Sequence, residues 1–448
     1  MKSVLEESAL LASPRRFSNG PAGSGGPRRS AVELILYGSL LGLAVVGLLS
    51  PGRYNVLPAE TILEGVLILA TGLLMARIDA DARSILLVAL AYLSVKVALM
   101  ALGGTDRWVD FFQAYKAFFY LLGFAFFVNR RCFDGRRLAK VSAVLVVAFF
   151  IKYSYSLFYG VAVPLSHFNT PQPGTVDPNS PEALDAVGVG LDARPGIYHE
   201  NNFELVMLLM MFYVSFPYAG RWRNAIFVVL VATVLISSSR SGALGLVLVY
   251  IGLCMRSSNR LWPLHLFGLG AVGYAVYALF ARRDTLGLTG IDRYRFLQTF
   301  LVEVRRWPLW EYVTGSYPLT PLSPGSCTTL SFYKDLFSYS DPGVCYSVIL
   351  HSYLLRAIFD HGLLGLILLC VLLGMALSRS GARCRDVVVL LGILLISGLS
   401  VSAFNSVFSA IGLVIALGLN RAPGGGPLPP AVRTSEGVHR RWEGSEHL

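Results

Sequence analysis

Residues 84–103 read SILLVALAYLSVKVALMALG, an apolar stretch with one formal charge, Lys96. About 20 such residues in an α-helix, rising ~1.5 Å each, cross the ~30 Å hydrocarbon core of a bilayer. The run at 362–378, GLLGLILLCVLLGMALS, carries no charge at all. Working outward, the same reading fits 33–50, 61–77, 109–128, 141–161, 203–218, 225–239, 242–255, 261–281, 387–403 and 405–420. The expected fold is an all-α polytopic membrane protein with about twelve transmembrane helices in residues 33–420. The first 32 residues are polar and Gly/Pro-rich, without the apolar core of a cleavable signal peptide. They and residues 421–448 are expected to be disordered tails.

Composition agrees. Apolar residues make up 54 % of the 448 and charged residues 15 %, with a mean hydropathy of +0.59. A soluble protein of this length needs more charge to cover its surface. A disordered one needs low hydrophobicity and high charge. Lys and Arg number 38 against 27 Asp and Glu, a net charge of +11. With the twelve spans drawn, 23 of the 38 basic residues fall in the loops on the side of both termini and 10 in the opposite loops. The remaining five, Lys96, Lys116, Lys152, Arg240 and Arg356, fall within or at the ends of spans. Basic loops stay in the cytoplasm, so both termini are expected there. The positive charge is then a topological signal, and nucleic acid is not an expected partner.

Both long loops, about 162–202 and 282–350, fall on the outer side. The second carries Trp307, Trp310, Tyr312, Tyr317, Phe332 and Tyr333, enough aromatic surface to pack over a bundle. It also holds Cys327 and Cys345, which in an oxidising compartment either form a disulfide or stay as two thiols.

Three clusters at the outer face carry chemistry. Arg240 follows Ser237-Ser238-Ser239 and precedes Ser241-Gly242, where hydroxyls and close helix approach make an anion cradle, or where the Arg snorkels to headgroups. Arg293, Arg295, Arg305 and Arg306 flank an apolar stripe of Tyr294, Leu297, Leu301 and Val304. That segment is either a guanidinium fork for a diphosphate or a basic helix on anionic lipid. His351 opens a third cluster, followed by Asp360-His361-Gly362, and is either a proton acceptor or a structural imidazole. The sequence has no P-loop, no G-x-S-x-G elbow and no zinc-site spacing. Gly242, Gly245 and Gly252 share the small-residue spacing of packed helices.

Taken in order, these stretches resemble the O-antigen ligase and O-antigen polymerase superfamily of bacterial inner-membrane glycan transferases. Arg194-Pro195-Gly196 through Glu200-Asn201-Asn202 is similar to that family's Arg…Gly…Asn stretch, with the Arg one residue closer to the Gly. Ser239-Arg240-Ser241-Gly242-Ala243 resembles its Ser-Arg-small-small element. Arg293, Pro308 and Gly315 resemble its Arg…Pro…Gly segment. His351, Leu355, Asp360, Gly362 and Gly365 resemble its closing element, with Ser352 in place of Asn and Asp360 in place of Glu. The resemblance covers roughly residues 194–378.

It implies a GT-C-like bundle that takes a glycan from undecaprenyl diphosphate at the periplasmic face, with no cofactor, nucleotide sugar or metal. A polymerase would transfer the glycan to a hydroxyl of another lipid-linked repeat, in surface or exopolysaccharide synthesis. The alternative is a ligase that transfers it to lipid A–core. A lipid-linked oligosaccharide transporter is a further reading, against which the halves show no repeat. Implied partners are the lipid-linked donor, the glycan or lipid A–core acceptor, membrane lipids, a chain-length regulator and a flippase. Arg240 and Arg293 are expected to stabilise the leaving diphosphate and His351 to take the acceptor proton. Arg194, Glu200, Asn202, Arg295 and Asp360 are the expected substrate-binding residues.

Overall fold

In the computed structural model the apolar runs form helices. The structure describes residues 27–50, 55–76, 78–104, 106–159, 196–254, 292–331 and 343–419, together with Gly268, Gly270, Gly273, Tyr274 and Ser338. Among them are fourteen α-helices: α1 (Pro27–Leu49), α2 (Ala59–Leu74), α3 (Ala80–Leu102), α4 (Trp108–Phe124), α5 (Gly135–Tyr159), α6 (Asn201–Ser215), α7 (Arg223–Ile236), α8 (Arg240–Cys254), α9 (Asp292–Val304), α10 (Leu309–Thr314), α11 (Pro324–Thr329), α12 (Tyr353–Arg379), α13 (Cys384–Gly398) and α14 (Val407–Gly418). No β-strand occurs among the described residues; one isolated bridge pairs Phe133 with Leu419.

Four helices are long and apolar enough to cross a membrane, over Ser30–Leu49, Ala82–Leu102, Gly135–Ser156 and Tyr353–Arg379. Helices also occupy seven of the other expected spans, but these are shorter, down to the 12 residues of α14. The span expected at 261–281 lies outside the described residues apart from Gly268, Gly270, Gly273 and Tyr274, and so do most of both tails and of the loop at 162–202.

Two helices are enclosed by the others. Every residue of α14 is buried, and so is every residue of α6 except the half-buried Phe203. From Leu205 to Val214 α6 is apolar on every side, and such a helix is buried, in a protein core or within a membrane bundle. The two pack on each other, where a Cβ at Gly412 would lie 3.1 Å from the Met210 sulfur. The glycine stripe of α8 closes onto the next face of α6: a Cβ at Gly242, Gly245 or Gly252 would come within 3.0 Å of Leu205, Leu209 or Tyr213. Around this hub, Leu34, Ile68, Leu87 and Leu102 turn outward, each more than half exposed. Apolar faces of this kind need a lipid or protein cover.

The described residues of the 292–350 segment form a packed unit. Phe296, Phe300 and Val304 of α9 share a second core with Leu322, Leu330, Ile349, Leu350 and Phe359. Cys327 and Cys345 are joined in a disulfide, with Cα atoms 5.9 Å apart. This unit meets the bundle at a backbone crossing. Gly362 breaks α12 with φ 70° and ψ 178°, a conformation open to glycine alone. Gly315, φ 80°, lies against it: a Cβ on Gly362 would sit 2.2 Å from the Val313 carbonyl oxygen. The neighbouring Ser316 N–H donates to the Phe359 carbonyl at 2.7 Å.

Candidate functional site

Seven segments converge on a cavity of about 420 Å³. The N-terminus of α2 brings Glu60, and α4 brings Gln113 and Lys116. The entry to α6 brings His199, Glu200 and Phe203, and α9 brings Arg293 and Phe296. Val348 and His351 precede α12, Arg356 lies in its second turn, and 400–406 supplies serines and Asn405.

The entry to α6 is held from behind by Glu204, buried one turn into that helix. Its carboxylate accepts from the backbone N–H groups of Ile197 (3.0 Å), Tyr198 (2.8 Å) and His199 (3.4 Å), and from the Tyr153 hydroxyl (2.8 Å). One side chain thereby fixes the turn that presents His199 and Glu200. Burial, with the Glu204 charge nearby, raises the Tyr198 phenol well above its ordinary pKa. Its hydroxyl donates to the Leu40 carbonyl at 2.8 Å, tying the same turn to α1.

Glu200 accepts from the Asn202 amide at 2.7 Å. The Ser239 hydroxyl donates to the Asn202 carbonyl oxygen at 2.7 Å and accepts from the Gly242 N–H at 3.1 Å. Ser239 thus caps α8 while linking it to α6. Arg240 is the first residue of α8.

On the opposite wall, the Arg293 Nε donates to the Ser400 hydroxyl at 2.8 Å. The ring of Phe296, three residues on and hence on the same face of α9, lies 5.6 Å from the His351 imidazole. The Ser402 hydroxyl donates to the His351 carbonyl at 3.4 Å.

The floor is cationic and braced. Lys116 pairs with Glu64 and lies 4.0 Å from Glu60. Arg356 Nε is 3.6 Å from Asp360, which accepts the Ser347 hydroxyl at 2.7 Å. A terminal guanidinium nitrogen of Arg356 donates to the Gln113 carbonyl, which also accepts from the Asn405 amide at 3.0 Å. The Asn405 carbonyl oxygen in turn accepts from the Ala117 N–H at 3.0 Å, so this side chain bridges one rung of α4. The Gln113 carbonyl thereby ties Arg356 and Asn405 to α4.

Of the residues singled out by sequence, Arg293, His351 and Glu200 line this one cavity. Asn202 stands directly behind Glu200. Asp360 is buried, is not among the lining residues and pairs with Arg356. Arg240 is not among the lining residues, and neither is the exposed Arg295. Arg194 lies outside the described residues. Missed by motif reading were Lys116, Arg356, Glu60, Gln113 and Asn405. For the first two a signal existed, since a charge at membrane depth is costly unless it pairs or lines a cavity. Among the described residues no three His, Cys, Asp or Glu side chains gather as metal ligands do.

No family model, curated protein or solved structure matches the chain.

Proposed function

We propose that the chain is a polytopic glycan transferase of the bacterial inner membrane, with twelve spans and both termini in the cytoplasm. In this reading it takes a glycan from undecaprenyl diphosphate and transfers it, as a polymerase, to a hydroxyl of another lipid-linked repeat at the periplasmic face. The observation that supports it is the convergence of Arg293, His351 and Glu200, from three segments far apart in sequence, on one braced polar cavity.

Each step uses a group on that wall. The anomeric carbon–oxygen bond to the diphosphate breaks, and negative charge grows on the departing oxygen. The Arg293 guanidinium, positioned through its Nε by Ser400, meets that charge without reorganising. Arg356 and Lys116, braced by carboxylates, add a positive field. The acceptor oxygen forms the new glycosidic bond, and its proton passes to the neutral His351 imidazole. Gln113, Asn405 and the serines offer hydrogen bonds, and Phe203 and Phe296 offer aromatic faces, for sugar rings. The 292–350 unit acts as a cap that keeps water, the competing acceptor, from the donor.

The test uses purified protein in detergent with an undecaprenyl-diphosphate-linked oligosaccharide. Longer lipid-linked glycans should form, and Arg293→Ala should cut the rate about 10²–10³-fold. Arg293→Lys should fail as well, since an ammonium lacks the planar fork. Full activity of both variants would refute the assignment. Transfer only to added lipid A–core would replace the polymerase by the ligase.

A further inference from the structure

We infer that helix α10 is sunk into the bilayer beside α3, with its outward apolar face covered by lipid acyl chains. The inference rests on reading α3 as a membrane-crossing helix and is independent of glycan transfer.

Depth is fixed by two contacts. The Lys96 ammonium donates to the Thr314 carbonyl at 3.4 Å, and the Tyr317 hydroxyl donates to the Leu99 carbonyl. Lys96 lies six residues before Leu102, the end of the span, or about 9 Å along the helix axis. Its Cβ also leans toward the helix N-terminus, away from that end. The C-terminal end of α10 therefore lies about two turns inside the end of α3, below the level at which a loop would float in water.

In α10 Leu309, Trp310 and Val313 are 85, 60 and 48 % exposed. Their spacing puts them on one side of α10. On α3, to which α10 is bonded through Lys96, Val95 and Leu102 are 58 and 83 % exposed. A cover of acyl chains on α3 extends over α10 without a break.

Three main-chain groups at the C-terminal end of α10 are satisfied, as backbone inside a membrane must be, and its charged side chain, Glu311, is half-buried and about 200° round the helix from Leu309 and Val313. The Thr314 carbonyl is taken by Lys96, the Gly315 N–H donates to the Glu311 carbonyl at 2.8 Å, and the Ser316 N–H donates to the Phe359 carbonyl at 2.7 Å. The cationic pair that precedes α10, Arg305 and Arg306, is exposed, as guanidinium groups that reach up to lipid phosphates are. The cap is thus anchored in the membrane as well as on the bundle.

The full chain, reconstituted in phosphatidylcholine–phosphatidylglycerol vesicles, gives the test. Tryptophan emission is recorded with lipids brominated on their acyl chains and, separately, with aqueous acrylamide, for the wild type and for Trp310→Phe. The expected result is that the emission removed by the substitution is the fraction quenched by bromolipid and spared by acrylamide. Quenching of that fraction by acrylamide alone would place α10 in water and overturn the inference. Quenching by neither would mean protein cover, a second copy in this preparation, and would overturn it too. Loss of transfer activity would leave this readout unchanged, so the two readings fail separately.

Discussion

Gly362→Ala should disable the protein, and the size of the effect follows from the crossing. At φ 70° and ψ 178° the backbone occupies a region essentially restricted to glycine, where an L residue costs about 1–3 kcal/mol. The new methyl would stand 2.2 Å from the Val313 oxygen and 2.4 Å from the Gly315 nitrogen. Both are backbone atoms of the α10 turn, so no side chain can swing away. Relief requires the 292–350 unit to lift from α12, an overpacking cost of another ~1–3 kcal/mol. The expected destabilisation is therefore about 2–6 kcal/mol, together with displacement of Arg356 and Asp360, which lie in the half of α12 before the break. Gly374→Ala, in the same helix, is the control. There a Cβ would meet Val387 and Leu391 at 3.6 and 3.7 Å, ordinary contact. Ala replacing Gly within a helix gains up to about 1 kcal/mol. Thermal unfolding of the two variants in detergent should shift in opposite directions. If Gly362→Ala melts with Gly374→Ala, at or above the wild type, the crossing does not constrain the fold as argued.

Three further outcomes are expected. Glu204→Gln places an amide NH₂ against a ring of donors, so it should cost about 1–3 kcal/mol and weaken substrate binding through the displaced His199–Glu200 turn, measured by unfolding and by KM; wild-type values of both would refute this role. Lys96→Met strips the ammonium from the Thr314 and Asp360 carbonyls and should destabilise by a similar ~1–3 kcal/mol, whereas the exposed Lys140→Met should not; equal melting of the two variants would count against it. Denatured but unreduced protein should take up thiol label at Cys132, Cys254, Cys370 and Cys384 and at neither Cys327 nor Cys345; six labels before reduction would disprove the disulfide.

Helix positions were legible because uninterrupted apolar runs have few other fates in a chain of this composition. Helix environment was not. Hydropathy scores a residue facing lipid and one facing the protein interior alike, so nothing in the sequence marked α6 and α14 as the enclosed hub of the bundle. The glycine stripe of α8 was readable as packing because small residues on one face have no other steric consequence than close approach. Its partner was not, since Leu205, Leu209 and Tyr213 look like any apolar helix face. Asp360 shows the same limit in the site. The family-like closing element that contains it carries no sign that Arg356, four residues before it, is its ion-pair partner.

The most informative residues were those that the topology left over: Lys96, Lys116, Lys152, Arg240 and Arg356, the five charges within or at the ends of apolar runs. Charge counting sets them aside because they favour neither side. Desolvation singles them out, because each costs several kcal/mol at membrane depth unless something there compensates it. In the structure Lys116 and Arg356 line the cavity, and Arg240 opens α8 beside the Ser239 cap. Lys96 fastens α10, and Lys152 donates to the Gly47 carbonyl at 2.6 Å. That last bond belongs to the site as well, since a Cβ on Gly47 would collide with the carbonyl of Ile197, in the turn that Glu204 holds. For Lys96, Lys152 and Arg356, main-chain partners stayed hidden for a chemical reason. Gly47, Thr314, Asp360 and Gln113 all accept through main-chain oxygens. A backbone acceptor has no side-chain signature, so the cation is the only half of such a contact that a sequence displays. Substitution has the same asymmetry: replacing Thr314 or Gln113 leaves the carbonyl in place, and only the Lys or Arg side of each contact can register the loss.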